Sequence, residues 1–552
     1  MSLWLMMSCL IMPEAGGLLA RDAGNLLLIH PSDRSFPLHP FRVNGEDRHT
    51  LSLLQLSLSA MFIPAVENNL WTCQLCESFP DFRNKQLELL ADPDQPYDLK
   101  MSLRIKDDLF WGDRHPVTGK DVHFTWQLAK QFPGHFPGKE AYDRIEQVVT
   151  DRDDPKKITL FLKGKTYPAA DWGFWFILPE LLEGPVWREA GGNIPRYMAN
   201  SHYTKTPFHP GLWSGPYLPK GRNQHGQLFY TPHPLFSFPG SKPFKTIEVI
   251  DNPGEASPWK DKSVIVSDMS CLNLKLCDAP PKGMKLVVGE SEEYEQLTLN
   301  LRNPLLKDIR VRQALRNSVS RDYIFDVIYS NTVAPAWQFL PSSYPGFDRE
   351  VQLQEYRPPE AARQLTEAGW LLPSGHDIRH KWGKPLEIVL VTSKDPLRIK
   401  TAEYLKTLWK KSGIHIRIRA QDRSEFMEQT LRKLSFSGMA LFSWKIPLDP
   451  PLQSLFSSSS VPTINNHYQG QNLSAWMNHD VDQWIHQLQS EFDLETRKKL
   501  LLKLQKRYVQ DIPAIPLFFR LNRVLLSDGV KGFVLPENSF PVTLWANLWT
   551  YE

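Results

Sequence analysis

The segment from Leu386 to Ile418 constrains the fold more than any other. Leu386 to Val391 is rich in apolar and β-branched residues, Thr401 to Trp409 has the spacing of an amphipathic helix closed near Gly413, and Ile414 to Ile418 alternates apolar with basic residues. A strand, a helix and a second strand in succession form a βαβ unit, because two strands joined through a crossover helix lie parallel. Parallel pairs are covered on both faces, so the class is α/β. Other segments repeat the alternation. Leu26 to Ile29 reads as a strand stopped by His30-Pro31-Ser32-Asp33, and Leu99 to Ile105 alternates with period two. Thr118-Gly119-Lys120-Asp121 forms a variant capping box ahead of a helix that places Val122, Trp126 and Ala129 on one face. Helices are expected from Asp308, from Ser320-Arg321-Asp322 and from Pro358 to Gly369, and Val481 to Tyr508 reads as helical throughout. Gln296 to Leu301, Met439 to Trp444 and Ile515 to Phe519 are strand candidates.

At 552 residues the chain exceeds what one core holds, so two or three domains are expected. With 64 Lys and Arg against 61 Asp and Glu, and no basic run, nucleic acid is not an expected partner. The 18 Trp, 29 Phe, 16 Tyr and 45 Pro point to a rigid, loop-rich protein whose aromatic residues mostly pack in cores.

Leu3 to Met12 is too short to cross a bilayer and has the character of a secretion signal, followed by small residues at Ala15, Gly16 and Gly17 but lacking a basic start. Residues 1–22 are therefore read as a signal segment, with Cys9 as an alternative lipidation point. The remaining cysteines fall into two close pairs, Cys73 with Cys76 and Cys271 with Cys277. Disulfides or inert thiols suit an exported chain; a zinc site is the competing reading, although the second spacing does not fit the usual knuckle.

The chain contains no nucleophile elbow, no H-E-x-x-H, no phosphate loop and no dinucleotide fingerprint. Its 16 His are scattered, and pairs such as Asp107-Asp108 and Asp153-Asp154 sit in turn-like settings. No catalytic residue, cofactor or metal site is expected, and the protein is not read as an enzyme.

Several ordered segments together resemble the family 5 extracellular solute-binding proteins. Leu103 to Asp113 followed by Pro116-Val117-Thr118-Gly119-Lys120-Asp121-Val122 is similar to one family run. Further matches are Gly211-Leu212-Trp213-Ser214-Gly215-Pro216-Tyr217, then Asp308 to Leu315 with Ser320 to Ile324, and Phe339-Leu340-Pro341. Ala361 to Trp370, Gly470-Gln471-Asn472, Asn478 with Asp482, and Ile512 to Leu517 complete the series. The chain departs from the family at Gly112-Asp113, whose order is inverted, at Gly119 and at Ser320.

The resemblance implies a two-lobed periplasmic-binding-protein fold with a discontinuous first lobe and an additional third domain. Lobe I would comprise 23–60, 200–295 and 520–552; the additional domain 61–199; and lobe II 300–515. Crossovers near Asn300 and Arg520 would act as the hinge. The implied function is an extracytoplasmic receptor, periplasmic or membrane-anchored, that closes on a peptide or another small solute for an ABC importer. Its partners would be a membrane-embedded permease and its ATPase, and the protein itself a monomer. A solute-sensing regulatory protein, or a receptor for a metal chelate or oligosaccharide, is the alternative. The cleft would draw on Trp444, Lys445 and Asp449, on Gln471, Asn472 and Trp476, and on Trp213 and Tyr217. Family members place an acid for the ligand's α-amino group where this chain has Pro447; Asp449 either replaces it or caps a turn before Pro450.

Overall fold

The structure is a computed structural model that describes residues 25–30, 39–42, 48–67, 70–90, 95–134, 136, 138–165, 175–224, 226–238, 243–251, 264–268, 280–351, 356–447, 450–536 and 540–551. Its largest element is an 11-stranded sheet. From one edge the order runs His415–Gln421, Glu387–Ser393, Met439–Lys445, Met284–Leu299, Ala514–Ser527, Val264–Asp268, Asn25–His30, Thr246–Asp251, Leu228–Pro232 and Tyr217–Arg222. Val333–Pro335 adds to the side of Ala514–Ser527. A separate four-stranded antiparallel sheet carries Leu87–Leu89, Leu99–Arg104, Ile145–Thr150 and Lys157–Leu162.

Two long strands hold the large sheet together. Met284–Leu299 has 16 residues and Ala514–Ser527 has 14, so each spans both halves of the sheet. Met284 to Glu290 pair with Leu521 to Ser527 beside Val264–Asp268, and Tyr294 to Thr298 pair with Ala514 to Phe519 beside Met439–Lys445. The passage between the halves lies at Ser291-Glu292-Glu293, where the ladder shifts register. Asn300 lies beyond the far end of this strand, where its side-chain amide donates to the Phe436 carbonyl at 2.6 Å. The chain extends without a break through both half-sheets by way of Ser291–Glu293.

The half-sheet containing Glu387–Ser393 and Met439–Lys445 is covered on both faces. Met439, Leu441, Leu297 and Leu299 pack with Val311, Leu315, Leu405 and Trp409 on one side; Tyr294 and Phe519 pack with Phe339, Phe456, Leu504 and Tyr508 on the other. The opposite half-sheet packs Leu26, Leu28, Ile247, Val249 and Leu526. Helix Arg48–Ser57 joins that core to the four-stranded domain, since Leu53 and Leu56 face one cluster and Leu51, Leu54 and Leu58 the other. The same helix also buries the polar Ser52, Gln55 and Ser57. Gly215 sits against its end: the Gly215 amide donates to the Ser57 carbonyl at 2.7 Å, and a Cβ there would lie 2.5 Å from backbone.

The ordered motifs prove to be structural fasteners. Asp308 caps helix Ile309–Asn317 by accepting the Arg310 amide at 3.0 Å. Arg312 donates to the carbonyls of Asp511 and Leu306, tying three helices together, and Arg321 donates to those of Leu517 and Pro516 in the second long strand. Asp121 closes the capping box of helix Gly119–Gln131, accepting the Thr118 amide at 2.7 Å and the Glu180 amide at 2.8 Å. Burial pushes this carboxyl up to about 6 despite those hydrogen bonds. The helical reading of Val481 to Tyr508 divides into His479–Ser490 and Leu494–Asp511, because Asp493 accepts the Thr496 amide and starts a new helix.

Candidate ligand-binding cleft

Strand direction locates the site. In one half of the large sheet, Glu387–Ser393, His415–Gln421 and Met439–Lys445 run parallel, and Lys445 lies opposite Glu293. In the other half, Asn25–His30, Thr246–Asp251 and Val264–Asp268 run parallel, and Asp268 lies opposite Val524. The carboxyl ends of both sets therefore point at the same passage, around Ser291–Glu293 and Arg520–Asn522. Ligands of open α/β sheets bind outside strand carboxyl ends at such topological switch points. The ladder between the two connecting strands is also irregular there, with shifts between Glu290 and Tyr294 and between Glu295 and Gln296.

Charged side chains gather on one face of this passage. Arg398, in the first turn of helix Pro396–Lys411, donates through Nε to Glu295 Oε1 at 2.7 Å and through Nη2 to the Ser443 hydroxyl at 2.5 Å. Ser443 donates to the same carboxylate at 2.9 Å. A cation at a helix N-terminus opposes the helix dipole, so Glu295 supplies the compensating charge. Burial disfavours the Arg398 cation, yet the charge and hydrogen bonds of Glu295 outweigh it and raise the guanidinium's pKa. Arg520 completes the cluster, 3.7 Å from Glu295 and 3.9 Å from Glu293, with its guanidinium 5.0 Å from the Tyr329 ring centroid. Burial foremost, with the Glu295 charge adding to it, pushes the Tyr329 phenol up to about 12.

Strand alternation separates the expected site residues. Trp444 and Lys445 point to opposite faces of Met439–Lys445. Trp444 is half-buried and shares a small cleft of about 20 Å³ with Gln471, Tyr294 and Gln296. Lys445 is exposed on the face that carries Arg398 and Glu295. Gln471 is exposed, its amide donating to the Ser454 carbonyl at 2.9 Å. Asp449 lies outside the described residues, as do Cys9, Cys271 and Cys277. Cys73 and Cys76 are joined by a disulfide.

Four expected ligand contacts are corrected to structural roles. Asn472 is fully buried; its Nδ2 donates to the carbonyls of Phe456, Ser457 and Trp476, and its Oδ1 accepts from Ser474 and the Trp476 amide. Gly470 before it has φ of +102°, and a Cβ there would collide with the Ser460 carbonyl, so the Gly-Gln-Asn motif is a folded turn. Trp476 is buried with its indole donating to Asp511 at 2.9 Å. Trp213 is fully buried with its indole donating to the Pro207 carbonyl, and Tyr217 is fully buried with its hydroxyl accepting the Phe244 amide.

The sequence reading did not single out Glu293, Glu295 or Arg398, and it named Arg520 only as a crossover. One signal was present: Glu290, Glu292, Glu293 and Glu295 crowd a segment that otherwise leads into an apolar strand. Their partners are distant in sequence, so only the sheet pairing and the packing of helix Pro396–Lys411 assemble the cluster. Two cavities flank the strand Trp71–Cys73. One, of about 410 Å³, lies between residues 70–87 and residues 344–346 and 492–501. The other, of about 580 Å³, is lined by residues that include Thr72, Lys106, His233 and Trp545. Among the described residues, no group of three or more His, Cys, Asp or Glu is placed to hold a metal ion. Among them, too, no helix is long and apolar enough to cross a membrane.

Two half-sheets joined by a pair of continuous strands, with a polar cluster at the passage, define a two-lobed solute-binding protein. The sequence matches the model of the bacterial extracellular solute-binding proteins, family 5, over residues 88–463, and the chain belongs to that family. It is 23% identical over 500 residues to the oligopeptide-binding protein AppA of Bacillus subtilis, covering 85% of this chain and 87% of that protein. The solved structure of AppA in complex with a nonapeptide shares the fold with a TM-score of 0.59 at 18% identity, covering 97% of this chain and 99% of that one. HbpA2 from Haemophilus parasuis is similar with a TM-score of 0.75 at 18% identity, covering 96% and 100% of the two chains. The family is a class of extracytoplasmic substrate-binding proteins.

Proposed function

We propose that this chain is the extracytoplasmic receptor of an ABC importer and that it captures peptides or peptide-like solutes by lobe closure. The observation that carries the reading is the convergence of both sets of strand carboxyl ends on one charged passage. Residues 23–60, 200–295 and 520–552 would form lobe I, 61–199 the additional domain and 300–515 lobe II. The lobes turn about Ser291–Glu293 and Arg520, and the ligand's contacts with both favour the closed state. Lys445 and Arg520 are suited to a ligand carboxylate. Glu293, opposite Lys445 in the ladder and partly exposed, supplies an acid for an α-amino group where Pro447 supplies none. Trp444 and Gln471, on the opposite face of the strand, would line a separate small cleft. The peptide-binding names of several relatives, AppA among them, support the choice of ligand. The closed form would dock, as a monomer, on a membrane permease driven by an ATPase.

Calorimetry of the purified chain against short peptides tests the proposal, together with mass spectrometry of any small molecule that co-purifies. Saturable binding of peptides with affinity in the micromolar range or tighter is expected. Absence of binding to every peptide, with a non-peptide molecule recovered from the protein, would overturn it.

A further inference from the structure

Trp382 is 88% exposed, the most exposed large apolar side chain among the described residues. It sits at the tip of a hairpin in which His380-Lys381 pairs antiparallel with Lys384-Pro385, and Trp382 and Gly383 have φ of +52° and +75°. A two-residue turn of this kind favours Asn-Gly, because a bulky side chain is strained at positive φ. A tryptophan here serves neither the turn nor a core. Strain kept at an exposed aromatic residue points to a role outside folding. Beside the hairpin, Leu371 and His380 exchange both backbone hydrogen bonds, at 2.7 and 3.0 Å, and Leu371 and Leu372 are 58% and 51% exposed. We propose that Trp382, with Leu371, Leu372 and the flanking lysines, is a docking tip that enters the headgroup region of a bilayer containing anionic lipid.

Charge selects the partner. Lys381 holds its Nζ 4.6 Å from the centroid of the Trp382 ring and donates to the Ala368 carbonyl at 2.7 Å, and Lys384 and Lys411 are exposed. Among the described residues none of these three lysines is in an ion pair, because the acids around them are taken: Asp377 pairs with Lys410 at 3.4 Å, Asp308 with Arg310 at 2.7 Å, and Glu367 with Arg363. Tryptophan is favoured at the headgroup level of a bilayer, and uncompensated lysines are attracted to anionic headgroups. A Cβ on Gly375 or Gly383 would meet nothing within 4 Å, so these turns stand clear of the fold. A projecting cationic and aromatic tip is the complement of a soft anionic surface.

Position decides the consequence. Pro385 leads into strand Glu387–Ser393, whose carboxyl end points at the passage. At about 3.3 Å per residue, that strand sets the tip roughly 25 Å from the passage. A chain held by the tip keeps the passage clear of the bilayer, so contact with lipid concentrates the protein at a membrane without blocking entry of a solute.

Sedimentation of the full chain, produced without a lipid anchor, with vesicles of phosphatidylcholine alone or mixed equally with phosphatidylglycerol tests this. Binding to the mixed vesicles is expected, with little to phosphatidylcholine alone, and it should weaken in 0.5 M salt as the charges are screened. Trp382→Asn, which suits the turn and should keep or raise the melting temperature, is expected to weaken binding by about ten-fold or more. Lys381→Ala and Lys384→Ala should each weaken it by about five-fold. Absence of binding to either vesicle would overturn the docking tip, and so would binding that all three variants retain. Sedimentation seen only with vesicles carrying a reconstituted permease would also overturn it and assign the hairpin to a protein contact.

Discussion

Arg398 and Glu295 meet at 2.7 Å although they are separated by 103 positions, and their side chains are 19% and 0% exposed. Removing either partner leaves a charge in a setting that excludes water. Glu295→Ala is expected to lower unfolding free energy by about 3–5 kcal/mol, whereas replacing both residues by Met should recover most of the loss. Urea denaturation of the single and double variants measures this; a loss below about 1 kcal/mol for the single variant would mean that the pair is effectively solvated.

Lys445 and Asn472 were equivalent candidates in the sequence, and the structure separates them. Lys445 is exposed at the end of its strand, so Lys445→Ala should leave the melting temperature unchanged and weaken peptides with a free C-terminal carboxylate by about ten-fold. Asn472→Ala strands three buried carbonyls and should cost about 3 kcal/mol in stability. Paired calorimetry and denaturation of the two variants distinguish a ligand contact from a structural clamp.

Two buried groups give opposite responses to pH. Burial, with the nearby Arg42 charge adding to it, depresses the His39 imidazole from 6.5 to about 3. Its neutral form stabilises the fold fully above about pH 6.5, and the contribution is lost as pH falls towards 3, at most on the order of 5 kcal/mol. Asp121 is raised from 3.8 to about 6, so its contribution is full below about pH 4 and is lost as pH rises through 6. Urea midpoints between pH 3 and pH 7 should therefore lose their acid sensitivity in His39→Leu and their loss towards neutrality in Asp121→Asn.

The Cys73–Cys76 disulfide closes a very short loop. Chain entropy limits its contribution to about 2 kcal/mol, so reduction should shift the urea midpoint modestly and leave the chain folded. A comparison of denaturation with and without reductant, using Cys73→Ser/Cys76→Ser as the reference, measures it.

The secondary structure was legible where local periodicity and burial agree. Leu386 to Ile418 forms a parallel pair with a crossover helix because its apolar spacing already matches those elements. Thr118 to Asp121 builds its cap from neighbouring atoms, and Asp308 does the same. Of the expected cleft residues, Lys445 lies at the passage, and Trp444 and Gln471 share the small cleft on the opposite face of its strand. Local sequence could not show whether Asn472, Trp476, Trp213 and Tyr217 face a ligand or a core, since the same polar and aromatic groups serve both.

By itself, then, the sequence determined the α/β class and the family resemblance, because both reside in short-range order along the chain. Only the tertiary structure decided where the passage lies and what surrounds it. Glu293 and Glu295 meet Arg520 through strand pairing and Arg398 through a packed helix, across more than a hundred residues, and the cavity between Phe82 and Phe492 exists only where two distant segments pack. Periodicity reports which face of an element is apolar; it carries no information about which distant element will cover that face.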